Sequence, residues 1–249
     1  MGATARSHFE RGMPNMSTKE RYEQVFQEFA QVCADCGRST DDVRLIAVSK
    51  TVGKDDVALA LDGGATDFGE NRPEGLMEKG DAFPQARWHF IGNIQSRRIR
   101  DIVGRACLIH SLYQIKHAEK IDEVAAAAGI VQDVLVEVNV SGEESKSGVS
   151  PDELPAFLDA LAGLAHVRVC GLMTMAPAGD LEVARNVFAD LRRLRDTVKA
   201  DMGADRASCF NELSMGMSQD WREAVLEGAT MVRIGRAIFS DTFSAQCAQ

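Results

Sequence analysis

The chain has 249 residues, which is enough for two average domains or for one α/β barrel. Its 45% hydrophobic content supports a sizeable core, and its net charge of −9 argues against a nucleic acid or a membrane surface as the main partner. No uninterrupted apolar stretch approaches ~18 residues, so we expect no membrane-spanning helix.

The amino-terminal residues 1–16 are polar and carry no apolar segment of the kind found in secretory signals. We expect them to form a disordered extension ahead of a single domain at 17–249. The chain contains six cysteines, and the closely spaced pair Cys33 and Cys36 has no second pair or histidine pair at zinc spacing. The sequence therefore predicts no metal site, and reduced thiols favour a cytoplasmic protein.

Short apolar runs alternate with helical patterns along the rest of the chain. A long helix is expected from Ser17 to about Cys36, and it is followed by eight candidate strands at 44–48, 66–68, 88–91, 107–110, 134–140, 168–173, 208–213 and 230–234. Eight β/α units without a linker or a repeat predict a single TIM-type (β/α)8 barrel with an extra N-terminal helix. An open doubly wound sheet is the alternative.

Several predicted helices carry boundary or packing signals. Residues 181–199 repeat apolar side chains at three- and four-residue steps, which predicts one buried stripe. The helix at 114–128 is expected to end at Gly129, and Ser150 is the expected N-cap of a helix that reaches Leu164.

Lys50 follows the apolar run 45–48, so an amine ends the first predicted strand. Partial desolvation at such a position disfavours the charged form of an amine, and a neutral amine forms a Schiff base with a carbonyl or a pyridoxal aldehyde. The alternative is a surface lysine that opens a loop, and the residues around Lys50 by themselves favour that alternative.

Two glycine-bearing segments, 214–218 and 233–236, follow predicted strands seven and eight, where barrels often bind phosphate. Gly216 and Gly235 allow the backbone to approach an anion, and the serines of the first segment offer hydroxyl donors. Ordinary helix capping is the alternative role for these serines. Strands one and eight are neighbours in a closed barrel, so a lysine and a phosphate site would share one mouth. This combination points to pyridoxal 5'-phosphate.

Residues at other strand ends are further candidates for the site. Asn71 either orients a cofactor or makes an Asx turn, whereas His89 alternates with apolar neighbours and is expected to be a hydrogen-bonded core residue. His110 suits a pocket and a structural role equally well. Met173 is expected to pack beneath a cofactor ring, and Lys146, in the loop after strand five, is a candidate contact for an anionic ligand.

Several motifs in a fixed order make the chain recognisable. They are Ala47-Val48-Ser49-Lys50-Thr51, Phe68-Gly69-Glu70-Asn71, Trp88-His89-Phe90-Ile91-Gly92, Ser145-Lys146-Ser147-Gly148, Leu213-Ser214-Met215-Gly216-Met217-Ser218 and Val232-Arg233-Ile234-Gly235. With these motifs, residues 17–239 resemble the pyridoxal phosphate homeostasis proteins, also called the YggS/PROSC family, which are similar to the barrel domain of bacterial alanine racemase. The chain departs from the family at Arg72-Pro73, where an aromatic residue is usual, and this alters the expected rim of the pocket.

The resemblance implies a TIM-type barrel that holds pyridoxal phosphate as a Schiff base on Lys50. It implies phosphate contacts from Ser214, Ser218 and Gly235, with Arg233 near the pyridine nitrogen. The full set of expected cofactor-binding residues is Lys50, Asn71, His110, Met173, Ser214, Met217, Ser218, Arg233 and Gly235.

The resemblance also implies a role in intracellular vitamin B6 homeostasis, and we expect no catalytic residue. An arginine keeps its proton near neutrality, so a ring nitrogen facing Arg233 stays unprotonated and the cofactor is a weaker electron sink. Ten residues follow Phe239, which leaves no room for a second domain, and Tyr22 and Tyr113 fall in predicted helical segments. We therefore expect no second base. A pyridoxal-phosphate-dependent amino-acid racemase is the main alternative, and a Schiff-base aldolase without a cofactor is the third.

The expected partners are pyridoxal phosphate and, through its exchange, the apo-enzymes that use it. Neither nucleic acid nor a membrane is expected among them, because the chain is acidic and carries no spanning segment. A monomer is favoured because no added dimerising domain is expected.

Overall fold

The computed structural model describes residues 16–143 and 146–242, which form a closed barrel of eight parallel strands. The strands are β1 Arg44–Val48, β2 Asp67–Glu70, β3 Arg87–Phe90, β4 Leu108–Leu112, β5 Gln132–Glu137, β6 Val167–Met173, β7 Glu212–Met217 and β8 Met231–Ile234. Each strand pairs with the next, and β8 pairs with β1, so the predicted TIM-type barrel is confirmed and the open sheet is excluded. The predicted disordered extension at 1–16 lies outside the described residues, except for Met16.

Helices surround the barrel and connect the strands. They are α1 Thr18–Asp35, α2 Lys54–Asp62, α3 Pro73–Ala82, α4 Ile115–Ala128, α5 Leu154–Leu161, α6 Leu181–Ala200, α7 Ala204–Cys209, α8 Trp221–Leu226 and α9 Arg236–Phe239, with short 3-10 helices at Thr40–Asp42 and Ser96–Asp101. Within the described ranges, none of these helices is long and apolar enough to cross a membrane.

The extra N-terminal helix α1 begins where the sequence predicts. Ser17 and Glu20 form a reciprocal capping box, which satisfies the first free N–H groups of the helix. The buried face of α1 includes Phe29, whose ring lies 6.1 Å from that of Trp221 in α8. Arg21 Nε also donates to the carbonyl oxygen of Ile238 in α9 over 2.7 Å. These contacts hold α1 against α8 and α9, the last two helices of the barrel.

The boundary signals of the later helices have mixed outcomes. Gly129 ends α4 in the left-handed conformation, with φ +67°, as expected. The helix expected directly after Ser150 begins only at Leu154, because the Ser150 hydroxyl and the Glu153 carboxylate bond to each other across a preceding turn. The connections therefore follow the predicted order with a shorter α5.

The predicted seventh strand at 208–213 is wrong. Residues Ala204–Cys209 form α7, and the strand begins only at Glu212. Pairing with the neighbouring strands decides this boundary, because Leu213 lies opposite Leu172 of β6 and residues of β7 align with β8. Residues 214–217, which were expected to follow the strand, therefore lie within β7, and only Ser218 lies beyond it.

Alternate residues of the strands fill the inside of the barrel in layers. Arginine–carboxylate pairs close the amino ends of the strands. Above them lies an apolar layer composed of Ile46, Leu108, Leu135, Met173 and Met231. Two residues further along three of these strands are His110, Glu137 and Arg233, all buried. The interior therefore becomes polar again toward the carboxyl ends, which is the mouth where such barrels hold their ligands.

Candidate functional site

The first strand delivers Lys50 to the carboxyl mouth of the barrel. β1 ends at Val48, Ser49 is fully buried, and Lys50 lies in the turn that follows, where the Val52 N–H donates to the Ser49 carbonyl oxygen over 3.1 Å. Lys50 itself is exposed. The expectation of a partly desolvated amine is therefore wrong, because burial stops one residue earlier and water reaches the lysine side chain.

A buried ion pair holds the backbone directly before Lys50. Lys79 Nζ lies 2.6 Å from Oε1 of Glu70 and 2.7 Å from the carbonyl oxygen of Ser49. The Ser49 hydroxyl donates to the same Glu70 oxygen over 2.6 Å, and the two charged side chains are 5% and 1% exposed. Lys79 was not among the predicted site residues. It lies on the buried face of α3 with Leu76, and a lysine on such a face indicates a buried partner of opposite charge.

The segments after β7 and β8 meet beside the end of β1. The Gly235 N–H donates to Ser218 Oγ over 3.2 Å, so the Ser218 hydroxyl keeps its own proton for another acceptor. A Cβ at Gly235 would lie 3.2 Å from the carbonyl oxygen of Val48, two residues before Lys50. A side chain at Gly235 would press against Val48, so glycine allows the ends of strands one and eight to approach closely.

Gly216 has a different role from the one expected. Its φ is +87°, and a Cβ there would lie 2.5 Å from the Cβ of Ala224 in α8. The backbone of β7 is thus in direct contact with that helix. The next N–H group, that of Met217, donates to Oδ1 of Asp220 over 2.6 Å. Gly216 allows α8 to pack directly on β7. The geometry therefore favours a packing role for this glycine over the expected contact with an anion.

Arg233 is a buried cation with two defined acceptors. It is 5% exposed, and its Nη1 donates to Ser214 Oγ over 2.5 Å while Nη2 donates to the carbonyl oxygen of Thr174 over 3.0 Å. Burial lowers the pKa of Arg233 to about 10, and the carboxyl groups of Asp220 and Glu137 act in the opposite direction. The guanidinium therefore keeps its charge at neutral pH.

Ser214 belongs to a line of buried polar contacts. Its Oγ lies 2.8 Å from His110 Nδ1, His110 Nε2 lies 3.0 Å from His89 Nδ1, and His89 Nε2 lies 3.0 Å from Asp67 Oδ1. The expectation that His89 is a hydrogen-bonded core residue is confirmed. Ser214 was expected to offer its hydroxyl to a phosphate, but its complete burial between His110 and Arg233 makes it a partner of the arginine instead.

Glu137, at the end of β5, is a further site residue that the sequence interpretation did not include. It is 4% exposed, and burial raises the pKa of its carboxyl group to about 7, with only partial compensation from the charge of Arg233. A group that titrates near neutrality therefore accompanies the buried guanidinium. The alternation Asp133, Leu135, Glu137 toward the barrel interior was the available signal, and the predicted strand end at residue 140 concealed it.

The remaining predicted residues lie at different depths. Asn71 is half-buried directly after β2, and a Cβ at Gly92 would lie 2.0 Å from the Asn71 carbonyl oxygen, so these two strand ends are in contact. Met217 is 38% exposed at the end of β7. Met173 is 2% exposed and belongs to the apolar layer below the polar residues. Met217 is therefore accessible to solvent, whereas Met173 forms part of the buried floor.

Two further side chains, those of Lys146 and Tyr113, lie in loops around the mouth. Lys146 Nζ donates to the carbonyl oxygen of Met175 over 3.4 Å. Tyr113, expected in a helix, instead follows β4 directly, and its hydroxyl donates to Oδ1 of Asn93 over 3.3 Å. The tyrosine therefore lies at a strand end on the carboxyl side of the barrel.

Comparison with known proteins gives one consistent result. Residues 25–242 match the family model described as alanine racemase, N-terminal domain. A pyridoxal phosphate homeostasis protein of Aquifex aeolicus is 37% identical over 229 residues, which cover 91% of this chain and 99% of that protein. A protein of the same name from Pseudomonas aeruginosa is 38% identical over 90% of this chain and 96% of its own length.

Solved structures agree. PipY of Synechococcus elongatus, solved with pyridoxal phosphate bound, superimposes with a TM-score of 0.77 at 30% identity and covers 90% of this chain and 100% of its own. Alanine racemase of Corynebacterium glutamicum gives a TM-score of 0.67 at 17% identity and covers 88% of this chain and 60% of its own. The racemase shares the fold of the barrel.

Proposed function

The chain belongs to the family of pyridoxal phosphate homeostasis proteins, and from this premise we propose that it binds pyridoxal 5'-phosphate through Lys50 and takes part in intracellular vitamin B6 homeostasis. The bound group supplies an aldehyde that reacts with amines and a phosphate that requires hydrogen-bond donors. The Lys50 amine would hold this group by adding to its aldehyde carbon with loss of one water molecule.

The observation that carries this proposal is the meeting of strands one and eight. Gly235 approaches the carbonyl oxygen of Val48, two residues before Lys50, and Ser218 bonds to Gly235. A lysine amine, a hydroxyl donor and a glycine that allows two strand ends to approach closely therefore lie at one edge of the mouth. Arg233, two residues before Gly235, adds a buried positive charge. This set of donors fits an anionic aldehyde.

Each residue of the site receives a defined task. Ser218 donates its hydroxyl proton to the phosphate, and Gly235 leaves room for the phosphate to approach the backbone. Arg233 donates to the pyridine nitrogen. Met173 forms the floor below the ring, and Ser214 orients Arg233. The other expected contacts, Asn71, His110 and Met217, complete the lining of the mouth.

The charge state of Arg233 favours a carrier over an enzyme. Because the guanidinium keeps its proton at neutral pH, a ring nitrogen facing it remains an acceptor without a proton of its own. A ring in that state withdraws electrons weakly from a bound amino acid, so proton abstraction at its Cα is slow. We place the protein in the cytoplasm as a monomer that exchanges pyridoxal phosphate with apo-enzymes.

A pyridoxal-phosphate-dependent amino-acid racemase remains the second candidate, and the position of Tyr113 favours it. Racemisation requires a base on each face of the bound amino acid, and Lys50 supplies one face. Tyr113 follows β4 on the same side of the barrel and bonds only a neighbouring amide in the described contacts. Assays of amino-acid racemisation separate this candidate from the carrier.

The test of the proposed function is covalent trapping. Adding pyridoxal phosphate to the purified protein should produce a visible Schiff-base absorption band, and borohydride reduction followed by peptide mapping should place the label on Lys50. The Lys50→Ala variant should lose both signals. The Lys54→Ala variant should retain both, because Lys54 lies at the start of α2 and pairs at the surface with Glu78. Label on Lys54 or Lys146 in place of Lys50 contradicts the assignment.

A further inference from the structure

A single line of hydrogen bonds crosses the inside of the barrel from the amino end of β2 to the mouth. It joins Asp67, His89, His110, Ser214 and Arg233 through contacts of 3.0, 3.0, 2.8 and 2.5 Å. We propose that Asp67, His89 and His110 are positioning residues that hold the Arg233 guanidinium in one orientation through Ser214. The proposal rests on the proposed function only in taking Arg233 as a contact of the cofactor ring.

The line begins at an obligatory acceptor. Burial raises the pKa of Asp67, but hydrogen bonds from His89, Arg87 and Thr66 outweigh this effect and hold the pKa well below its usual range. Asp67 is therefore a carboxylate, which accepts hydrogen bonds and donates none. The contact of 3.0 Å with His89 Nε2 accordingly requires a proton on that nitrogen.

The direction of the next bonds follows from the neutrality of both imidazoles. Burial lowers the pKa of His89, against the influence of Asp67, and burial lowers the pKa of His110 well below its usual range. A neutral imidazole carries a proton on one ring nitrogen only. With His89 protonated at Nε2, its Nδ1 accepts from His110 Nε2–H, and His110 Nδ1 then accepts the hydroxyl proton of Ser214.

The direction of these hydrogen bonds fixes the orientation of the Arg233 guanidinium through Ser214. Because its proton is committed to His110, Ser214 Oγ turns its lone pairs to Arg233 Nη1, and the carbonyl oxygen of Thr174 accepts from Nη2. Two acceptors on two nitrogens define the plane of the guanidinium. In a reversed line His110 Nδ1–H would donate to Ser214 Oγ, so the serine hydroxyl would lose its fixed orientation and keep only one of its two lone pairs for Arg233. The carboxylate of Asp67 therefore sets the orientation of Arg233 from the opposite end of the barrel.

The chain provides a matched control at the same end of the barrel. Asp67 accepts from Arg87 Nε over 2.9 Å and from Nη2 over 2.7 Å. Asp133 makes the same bidentate pair with Arg168, over 2.6 and 2.7 Å, and its side-chain contacts among the described residues include no histidine. Replacing either aspartate by asparagine alters a bidentate arginine pair. Only Asp67→Asn also alters the line of hydrogen bonds that leads to Arg233.

The first test reads the proton positions directly and needs no cofactor. The chain contains five histidines, so two-bond proton–nitrogen correlation spectra of protein with ¹⁵N-labelled histidine can be assigned with the variants His8→Gln, His117→Gln and His166→Gln. We expect His89 and His110 to be neutral and protonated at Nε2 at pH 7. In Asp67→Asn, whose amide adds a donor, both rings should change to mixed or Nδ1-protonated forms, and Asp133→Asn should leave them as in the native protein. A charged or Nδ1-protonated ring in the native protein overturns the proposal.

The second test reads the arginine through ligand binding. Asp67→Asn should bind pyridoxal phosphate and pyridoxal about tenfold more weakly, the scale of one weakened charge-assisted hydrogen bond, and should bind inorganic phosphate unchanged. Asp133→Asn should match the native protein for all three ligands. Equal affinities in the two variants contradict the positioning role. If the native protein binds none of these ligands, the proposed function fails while the spectra still decide the direction of the line.

Discussion

Lys79 Nζ lies 2.7 Å from the carbonyl oxygen of Ser49, the residue that precedes Lys50 in the chain. The same ammonium group neutralises Glu70, which also accepts the hydroxyl proton of Ser49. A buried ion pair thus determines where β1 ends and where the turn carrying Lys50 begins. Such a pair is sensitive to the loss of either partner, because the survivor is left as an uncompensated buried charge.

Replacing Lys79 by methionine should lower the free energy of unfolding by about 3–5 kcal/mol, the usual effect of breaking a buried ion pair. Urea denaturation followed by circular dichroism measures this change. Lys54→Met is the matched control, because Lys54 Nζ lies 3.3 Å from Glu78 at the surface and such pairs contribute about 0–1 kcal/mol. The double variant Glu70→Gln, Lys79→Met should recover part of the loss. Equal losses in the two single variants contradict the buried pair.

Glu137 should make the stability of the ligand-free protein fall as the pH rises. The pKa of Glu137 is raised to about 7 in the folded protein, from 4.5 for an ordinary glutamate, and so the folded state binds more protons between these values. The stabilisation is complete below about pH 4.5 and is lost as the pH rises through 7. Its upper limit is about 3 kcal/mol, at about 1.36 kcal/mol per pKa unit.

The Glu137→Gln variant isolates this contribution. Its free energy of unfolding, measured by urea denaturation between pH 4.5 and 8, should lack the part of the decline that belongs to Glu137. The difference between native protein and variant should change with pH mainly between 4.5 and 7. A difference that is constant across this range contradicts the raised pKa.

The phosphate should contribute more binding energy than the pyridine ring. A hydrogen bond to a charged group contributes about 1.5–3 kcal/mol. The Ser218→Ala variant should therefore bind pyridoxal phosphate ~10–100-fold more weakly and bind pyridoxal with unchanged affinity. Fluorescence titration with both ligands measures the two affinities, and Ser240→Ala, in the loop after α9, serves as the control variant. Inorganic phosphate should compete with pyridoxal phosphate. Equal affinity of the native protein for the two ligands contradicts a phosphate anchor.

The protein loaded with pyridoxal phosphate should not be an efficient racemase. A missing general base lowers a rate by ~10²–10⁴-fold, and the unprotonated ring nitrogen slows proton abstraction further. Incubation with L-alanine and other L-amino acids, followed by chiral chromatography, should yield almost no D-enantiomer. Turnover near ~1 per second or above favours the racemase. The Tyr113→Phe variant then tests whether Tyr113 is the second base, because loss of that base should abolish turnover.

Local sequence signals were sufficient for much of the barrel. The capping box at Ser17 and the stop at Gly129 each depend on a few adjacent residues, and both helix ends lie where they were expected. The order of the strands likewise follows from eight short apolar runs. Lys50 and Gly235 were assigned to one mouth because β1 and β8 must be neighbours in any closed barrel.

The contacts that orient the site could not be found in this way. The line from Asp67 to Arg233 needs the register of five strands, and a displacement of one residue in any of them would turn a side chain to the other face. The boundary of β7 shows the difficulty, since 208–213 was expected as strand while the pairing of Leu213 with Leu172 places the strand later. Burial of Lys50 was misjudged because solvent access depends on the loops around the mouth.

The bond from Arg21 in α1 to Ile238 in α9 spans 217 residues of sequence, and it has a consequence for biogenesis. The helix that follows Gly235 is held by a segment that leaves the ribosome more than two hundred residues before it. Closing such a distance is slow, and folds dominated by contacts between remote residues fold slowly. During synthesis the nascent chain therefore exposes unpaired strand edges until β8 emerges, and a chaperone that shields those edges should raise the yield of folded protein.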